Sequence, residues 1–123
     1  SLYPHHLKNG SHCTLADFCS MVAQSAEKYG VGSLGIGSDL CQDQPDSIVE
    51  WMRVGRWSKT IDYGEGSFDN PGFPKQPDWF SDNRDFKNIE KGLADIGFDK
   101  GEIEAVMGKN WYNFYTDNFI GLD

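Results

Sequence analysis

The sequence predicts a mostly helical α/β chain, with about five helices and one clear strand. Three observations carry this expectation. Capping residues recur just ahead of apolar positions spaced three and four apart, the signature of amphipathic helices. One short apolar run, VGSLGIGSDL from Val31 to Leu40, is bounded and lined by glycine and reads as a buried strand. Across the 123 residues there is no internal repeat and no low-complexity tract, and the length suits a single domain.

The elements follow in order. Residues 1–13, SLYPHHLKNGSHC, are a polar opening without a period. Thr14 with Asp17 resembles a capping box in its shorter-acid form, and behind it Leu15, Phe18, Cys19, Val22, Ala26 and Tyr29 keep helical spacing. Gly30 is the natural stop, and the strand then completes a helix–strand unit over 14–40. Ser47 and Glu50 open a short helix with Ile48, Trp51 and Met52 on one face. From Gly55 to Asp82, Gly64, Gly66, Pro71, Gly72, Pro74 and Pro77 interrupt every period. A loop of that length is uncommon inside a domain. Its aromatics (Trp57, Tyr63, Phe68, Phe73, Trp79 and Phe80) predict that it is packed down. The C-terminal helices cover 83–119. A third helix runs from Asn83 to Ile96, with Phe86, Ile89, Leu93 and Ile96 on its apolar face. Asp99 and Glu102 cap a fourth, which carries Ile103, Val106 and Met107 and stops at Gly108. Asn110 caps a fifth, with Trp111, Phe114 and Tyr115 inward.

A lone strand cannot satisfy its own amides and carbonyls, because those bonds come from a neighbouring strand. Its sheet partner is therefore expected outside this sequence or in a second copy. That predicts a homo-oligomer formed through the unpaired strand.

Composition narrows the function classes. The 19 acidic and 11 basic residues give a formal charge of −8, and no Lys/Arg cluster stands out, so nucleic acid and anionic membrane surfaces are poor partners. No apolar run is long enough for a transmembrane segment, and no secretory pattern is present. A cytoplasmic setting is favoured. The first residue is Ser1 rather than Met, and the native start is expected elsewhere. Cys13, Cys19 and Cys41 are odd in number and form no CxxC, which predicts reduced thiols.

Most motifs dissolve on inspection. Gly30 to Gly35 matches G-x-G-x-x-G, but a dinucleotide site needs a strand before the glycines and a helix after them. Here the order is reversed. His5, His6, His12 and Cys13 are metal donors close in sequence, yet they fit no finger or zincin spacing and read as surface loop residues. Asn9-Gly10-Ser11 is a formal glycosylation acceptor that counts for little without a secretion signal. Asp39 remains. A carboxylate at the C-terminal edge of a strand is where α/β enzymes place active-site groups, and glycines at 35 and 37 would let a strand or ligand approach. A turn aspartate bonding local amides is an equal alternative.

Two stretches resemble the membrane (renal) dipeptidase family. VGSLGIGSDL, preceded by CTLADFCSMVAQSAEKYG, is similar to that family's last strand, with its glycine-rich G-x-G-[ST]-D. DFKNIEKGLADIGFDKGEIEAVMGKNWYNFY resembles its C-terminal signature, with Leu93, Gly97, Ile103, Val106, Gly108 and Asn110 in the pattern's places. SLYPHHL resembles the segment after the family's seventh strand, and only the aromatic loop over 55–82 is longer than in the shorter members.

The resemblance implies a C-terminal fragment of a (β/α)8 TIM barrel and a two-zinc metallopeptidase site that hydrolyses dipeptides. In it Asp39 would be both catalytic and substrate-binding, as a proton shuttle beside the metal-bound water or as acceptor for the substrate ammonium. The family's zinc ligands are an H-x-D pair, a bridging glutamate and two histidines, all upstream of the part that this chain resembles. No residue here matches them, so the chain corresponds to roughly the last third of such an enzyme. By itself it is expected to be inactive, because one aspartate cannot replace a metal pair. Convergence of His5, His6 and Asp39 on a single zinc would be the exception. A reading from another class is a non-catalytic helical module that binds a partner through the aromatic 57–80 loop.

Overall fold

Helix α1 spans Leu15–Tyr29 and begins where the sequence places its cap. Thr14 is extended, its Oγ1 accepts the Asp17 amide at 3.1 Å, and the same hydroxyl donates to Asp17 Oδ2 at 2.8 Å. Lys8 adds an ion pair to the other carboxylate oxygen of Asp17 at 2.8 Å. The helix ends at Gly30, whose φ of +81° lies in the left-handed region and whose amide still reaches the Ala26 carbonyl at 2.8 Å. This computed structural model describes residues 1–40, 42–45, 47–48, 51 and 73–119, with His5 described by its backbone alone.

Helix α2 spans Phe86–Asp95 behind a 3₁₀ turn at Asn83–Asp85. One carboxylate oxygen of Asp85 gathers the Ser81 amide, the Ser81 hydroxyl and the Asp82 amide within 2.9 to 3.2 Å, which fixes how the chain enters the helix. Ile89, Gly92 and Leu93 are buried on the side facing α1. Gly92 is the contact point. A Cβ built there would stand 2.7 Å from Cys19 Sγ and 3.0 Å from Leu15 Cγ, so the bare backbone sets the distance between the helices. Gly97, at φ +102°, turns the chain out of α2.

Asp99 and Glu102 exchange amide bonds of 2.9 Å in a reciprocal capping box that opens α3, Lys100–Glu104. α3 passes through a wider π-type turn, Ala105–Lys109, into α4, Asn110–Phe119, with a kink at Gly108. The fourth and fifth helices expected from the sequence are therefore two limbs of one bent helix.

The core lies where α1, α2 and the π turn meet the N-terminal segment. Leu2, Leu7, Cys13, Phe18, Cys19, Val22, Phe80, Ile89, Leu93 and Val106 are buried in it. Each large apolar side chain removed from water contributes on the order of 1.5–3 kcal/mol against the entropy of ordering the chain. The end of the long loop joins this core. Phe80 packs edge-on to Phe86 at 5.1 Å, and Trp79 lies against Phe18 at 5.2 Å while donating its indole N–H to the Cys13 carbonyl at 2.7 Å. Trp57, Tyr63 and Phe68 of that loop lie outside the described residues. So do Met52 and Glu50 of the short helix, of which Ser47, Ile48 and Trp51 are helical and exposed.

The α/β expectation is overturned: the described residues are helical and contain no strand and no sheet. Val31–Ser33 is a 3₁₀ turn, and 34–40, expected as the last strand of a barrel fragment, belongs to no ladder. The run is apolar enough for a strand, but a ladder needs successive bonds to a second extended chain, and the described residues form none. Its backbone is satisfied another way. Gly37 O accepts the Leu2 amide at 2.8 Å, and side chains of α4 take the carbonyls of Leu34 and Ile36. An oligomer built through an unpaired strand loses its basis with the strand.

Candidate functional site

Asp39 ends the extended run. Its φ of +48° is left-handed, a conformation that a short polar side chain tolerates better than most, and the residue is exposed. Asp43, at φ +56°, makes a second such turn shortly after. A left-handed backbone of this kind is one that a turn aspartate adopts. As an exposed carboxylate it can also accept hydrogen bonds from an ammonium or a polarised water.

What holds the run in place comes from the far end of the chain. Asn110, the first residue of α4, donates its side-chain amide to the carbonyls of Val31 and Leu34, each at 2.8 Å. The next residue, Trp111, lays its indole on Gly35, where an added Cβ would come within 2.5 Å of Nε1. That nitrogen donates to Ile36 O at 3.2 Å. The glycine at 35 does permit close approach, as the sequence suggested, but the group that approaches is an indole of the same chain. Gly37 has open space around it. The sequence marked Asn110 as a helix cap and missed this long-range role. The only hint was that Asn110 sat in the resemblance pattern as more than a cap requires.

The clefts near the run are apolar. One of about 150 Å³ lies between α1 and the run, with Phe18, Met21, Val22, Leu34, Ile36 and Val106 among its walls. Its lining residues carry no carboxylate, imidazole or thiol, and Asp39 is not one of them. A wider cleft elsewhere brings His12 and Cys13 beside Asp78 and Trp79. There the Lys75 ammonium, 2.8 Å away, is the main cause that holds Asp78 below the usual carboxylate range, and His12 adds to the effect.

The histidine and cysteine cluster of the N-terminal segment does not assemble as a metal site among the described residues. No three His, Cys, Asp or Glu side chains there come together in a way that could hold an ion. Cys13 is buried, its thiol points to the Thr14 carbonyl at 3.5 Å, and burial pushes its pKa up. His6 lies exposed and edge-on to Tyr3, and the His5 side chain is outside the described residues. The described side chains thus do not fit a zinc pair. No helix among them is long and apolar enough to cross a membrane.

Against known proteins, no family model, no curated protein and no solved structure matches this chain.

Proposed function

We propose that this chain is the C-terminal portion of a zinc-dependent, dipeptidase-type hydrolase, contributing Asp39 at the reacting end and none of the metal ligands. The observation that supports the reading is one contact. The two stretches that carry the resemblance are far apart in sequence, yet Asn110 of the G-x-N element bonds the carbonyls of Val31 and Leu34, 79 and 76 residues before it and just ahead of the G-x-G-[ST]-D element. That joint holds the extended run at whose end Asp39 stands.

Asp39 in this role acts on charge and protons. A dipeptide carries an ammonium at its amino end, and a carboxylate is its natural acceptor. An attacking water must also lose a proton to a base within reach, a contribution worth about 10²–10⁴-fold in rate. No step through zinc is assigned to this chain's residues, and the chain by itself is inactive in this reading. The alternative, an interaction module using the aromatic 57–80 loop, is weakened because Trp79 and Phe80 are spent on the core.

The test is the coding sequence upstream of residue 1 and the protein it encodes. The reading expects an H-x-D pair, a glutamate and two histidines there. It also expects the whole protein to hydrolyse dipeptides, with kcat lowered about 10²–10⁴-fold in Asp39→Asn at unchanged zinc content. A complete upstream frame without those ligands, or an Asp39→Asn enzyme of full activity, would sink it.

A further inference from the structure

The turn between the two N-terminal 3₁₀ segments, Pro4–His6 and Gly10–His12, is built on Asn9 and Gly10. Both are left-handed, Asn9 at φ +63° and ψ +19° and Gly10 at φ +57°. Asn9 is exposed, and its side chain makes no capping bond to the segment that it opens. The main chain carries the turn instead. Leu7 O accepts the Gly10 amide, Asn9 O accepts the His12 amide and Gly10 O accepts the Cys13 amide, each at 3.0 Å. Leu7 and Cys13, at either end of the turn, are buried in the core.

Asn9 is also the one asparagine of the chain that is followed by glycine; the others precede Pro, Arg, Ile, Trp or Phe. Asparagine is a thermally labile residue. Its side-chain carbonyl carbon lies within a five-membered ring's reach of the next backbone nitrogen, and a glycine there has no side chain to crowd the attack.

We infer that Asn9 is a site of spontaneous covalent conversion through a cyclic imide, gated by opening of the Leu7–Gly10 turn. The Gly10 nitrogen bonds to Asn9 Cγ while the Cγ–Nδ2 bond breaks, and Nδ2 leaves as ammonia with the proton that the Gly10 nitrogen gives up. Water is the only other reactant. Its addition at Cγ reopens the ring to an aspartate, and its addition at the main-chain carbonyl reopens it to an isoaspartate.

The closed turn opposes the first step in two ways. The hydrogen of the attacking nitrogen is engaged by Leu7 O. The ring can close only when Asn9 Cβ eclipses the Gly10 nitrogen about the Cα–C bond. At ψ +19° the Asn9 nitrogen nearly holds that place, and Cβ, on a different tetrahedral bond, points away. Rotation into line breaks the turn's bonds, so conversion waits on a local opening.

Either product adds a negative charge to a chain that already carries −8. The isoaspartate form also routes the main chain through the side chain and lengthens it by a methylene group. The bonds from His12 to Asn9 and from Cys13 to Gly10 then lose register, and the hold on Leu7 and Cys13 goes with them. The inference does not depend on the hydrolase reading.

Incubation of the 123-residue chain for weeks at neutral pH, native and in guanidinium, tests it by peptide mass spectrometry that separates aspartate from isoaspartate. Asn9 should be the first asparagine to convert in native protein, at a rate at least about tenfold below that in guanidinium, because opening breaks several bonds together. At guanidinium concentrations short of unfolding, the rate should rise in step with hydrogen exchange at the Gly10 amide. Asn9→Gln, whose side chain would need a larger ring, should stay intact. Alkylation should reach Cys13 in the isoaspartate form and not in fresh protein. Equal rates in native and denatured chains overturn the gate. Native protein that converts first at another asparagine, or never at Asn9, overturns the site, and a Cys13 as protected in the isoaspartate form as before overturns the coupling to the core.

Discussion

Replacing Asn110 by alanine removes the joint between α4 and the extended run, and the structure sets the size of the effect. Two neutral hydrogen bonds of 2.8 Å are lost. The Val31 carbonyl keeps a second partner, the Leu34 amide at 3.1 Å, whereas the Leu34 carbonyl is left half-buried. At about 1 kcal/mol net for each bond, with a further ~1 kcal/mol for the stranded carbonyl, Asn110→Ala should cost about 2–3 kcal/mol. Asn110→Asp should cost more at neutral pH, because a carboxylate then faces two carbonyl oxygens with no hydrogen to offer. Its pKa in the folded state would be raised. The sign follows: the folded state binds the proton more tightly, so stability should recover as pH falls and the protonated acid regains a donor. Urea denaturation followed by circular dichroism, at neutral and mildly acidic pH, measures both effects. Hydrogen exchange at the Leu2 amide, which is bonded to Gly37 O, reports whether the run loosens locally. A loss below about 0.5 kcal/mol for Asn110→Ala, within the range of an ordinary surface change, would refute the joint. Equal behaviour of the two variants at every pH would refute it as well.

Four further outcomes follow from the same structure. Gly92→Ala puts a methyl 2.7 Å from Cys19 Sγ and should destabilise by about 1–2 kcal/mol after the helix gain of ~1 kcal/mol is subtracted; thermal melts check this, and adding Cys19→Ala should recover part of the loss. Thr14→Ala should cost about 1 kcal/mol through the lost cap of α1, read by the same melts. Burial, chiefly, pushes the Cys19 thiol up to about 11, so peptide-level mass spectrometry after alkylation should find it unlabelled in native protein and labelled in denaturant. Asp17 is depressed mainly by Lys8 and then by Thr14, and Asp82 is depressed to about 2 mainly by Arg84. Both contributions are complete above the ordinary carboxylate pKa near 4 and fade as pH falls below it, that of Asp82 toward about 2, so acid titration of stability should lose its Asp82 component in Asp82→Asn.

Much of the helical structure was legible because its signals are local. Thr14, Gly30, Asp99 with Glu102, and Gly97 act within a turn of where they stand, and the buried faces of α1 and α2 keep the spacing of Phe18, Cys19 and Val22 and of Ile89 and Leu93. Periodicity reports which side chains share a face. It does not report what lies opposite, which is why Trp111, Phe114 and Tyr115, expected inward, stand half exposed, and why Tyr29 and Ile96 close their helices in solvent. The strand failed for a related reason. Apolar, glycine-bounded sequence says that 34–40 is extended and half-buried, but a strand is defined by its partner, and Asn110, Trp111 and Leu2 take that place from distant parts of the chain. Asp39 stands out in the sequence by its position near the end of that run. Its left-handed backbone was not readable, since aspartate tolerates that conformation without requiring it.

The most direct measurement on the functional proposal is the zinc content of the purified chain, taken together with its hydrolysis of dipeptides. After equilibration with zinc and removal of the excess, the chain should hold no stoichiometric metal and release no amino acid from any dipeptide offered. One or two zinc ions retained per chain, with turnover that Asp39→Asn abolishes, would show a self-sufficient enzyme and contradict the assignment of its metal ligands to another part of a longer polypeptide.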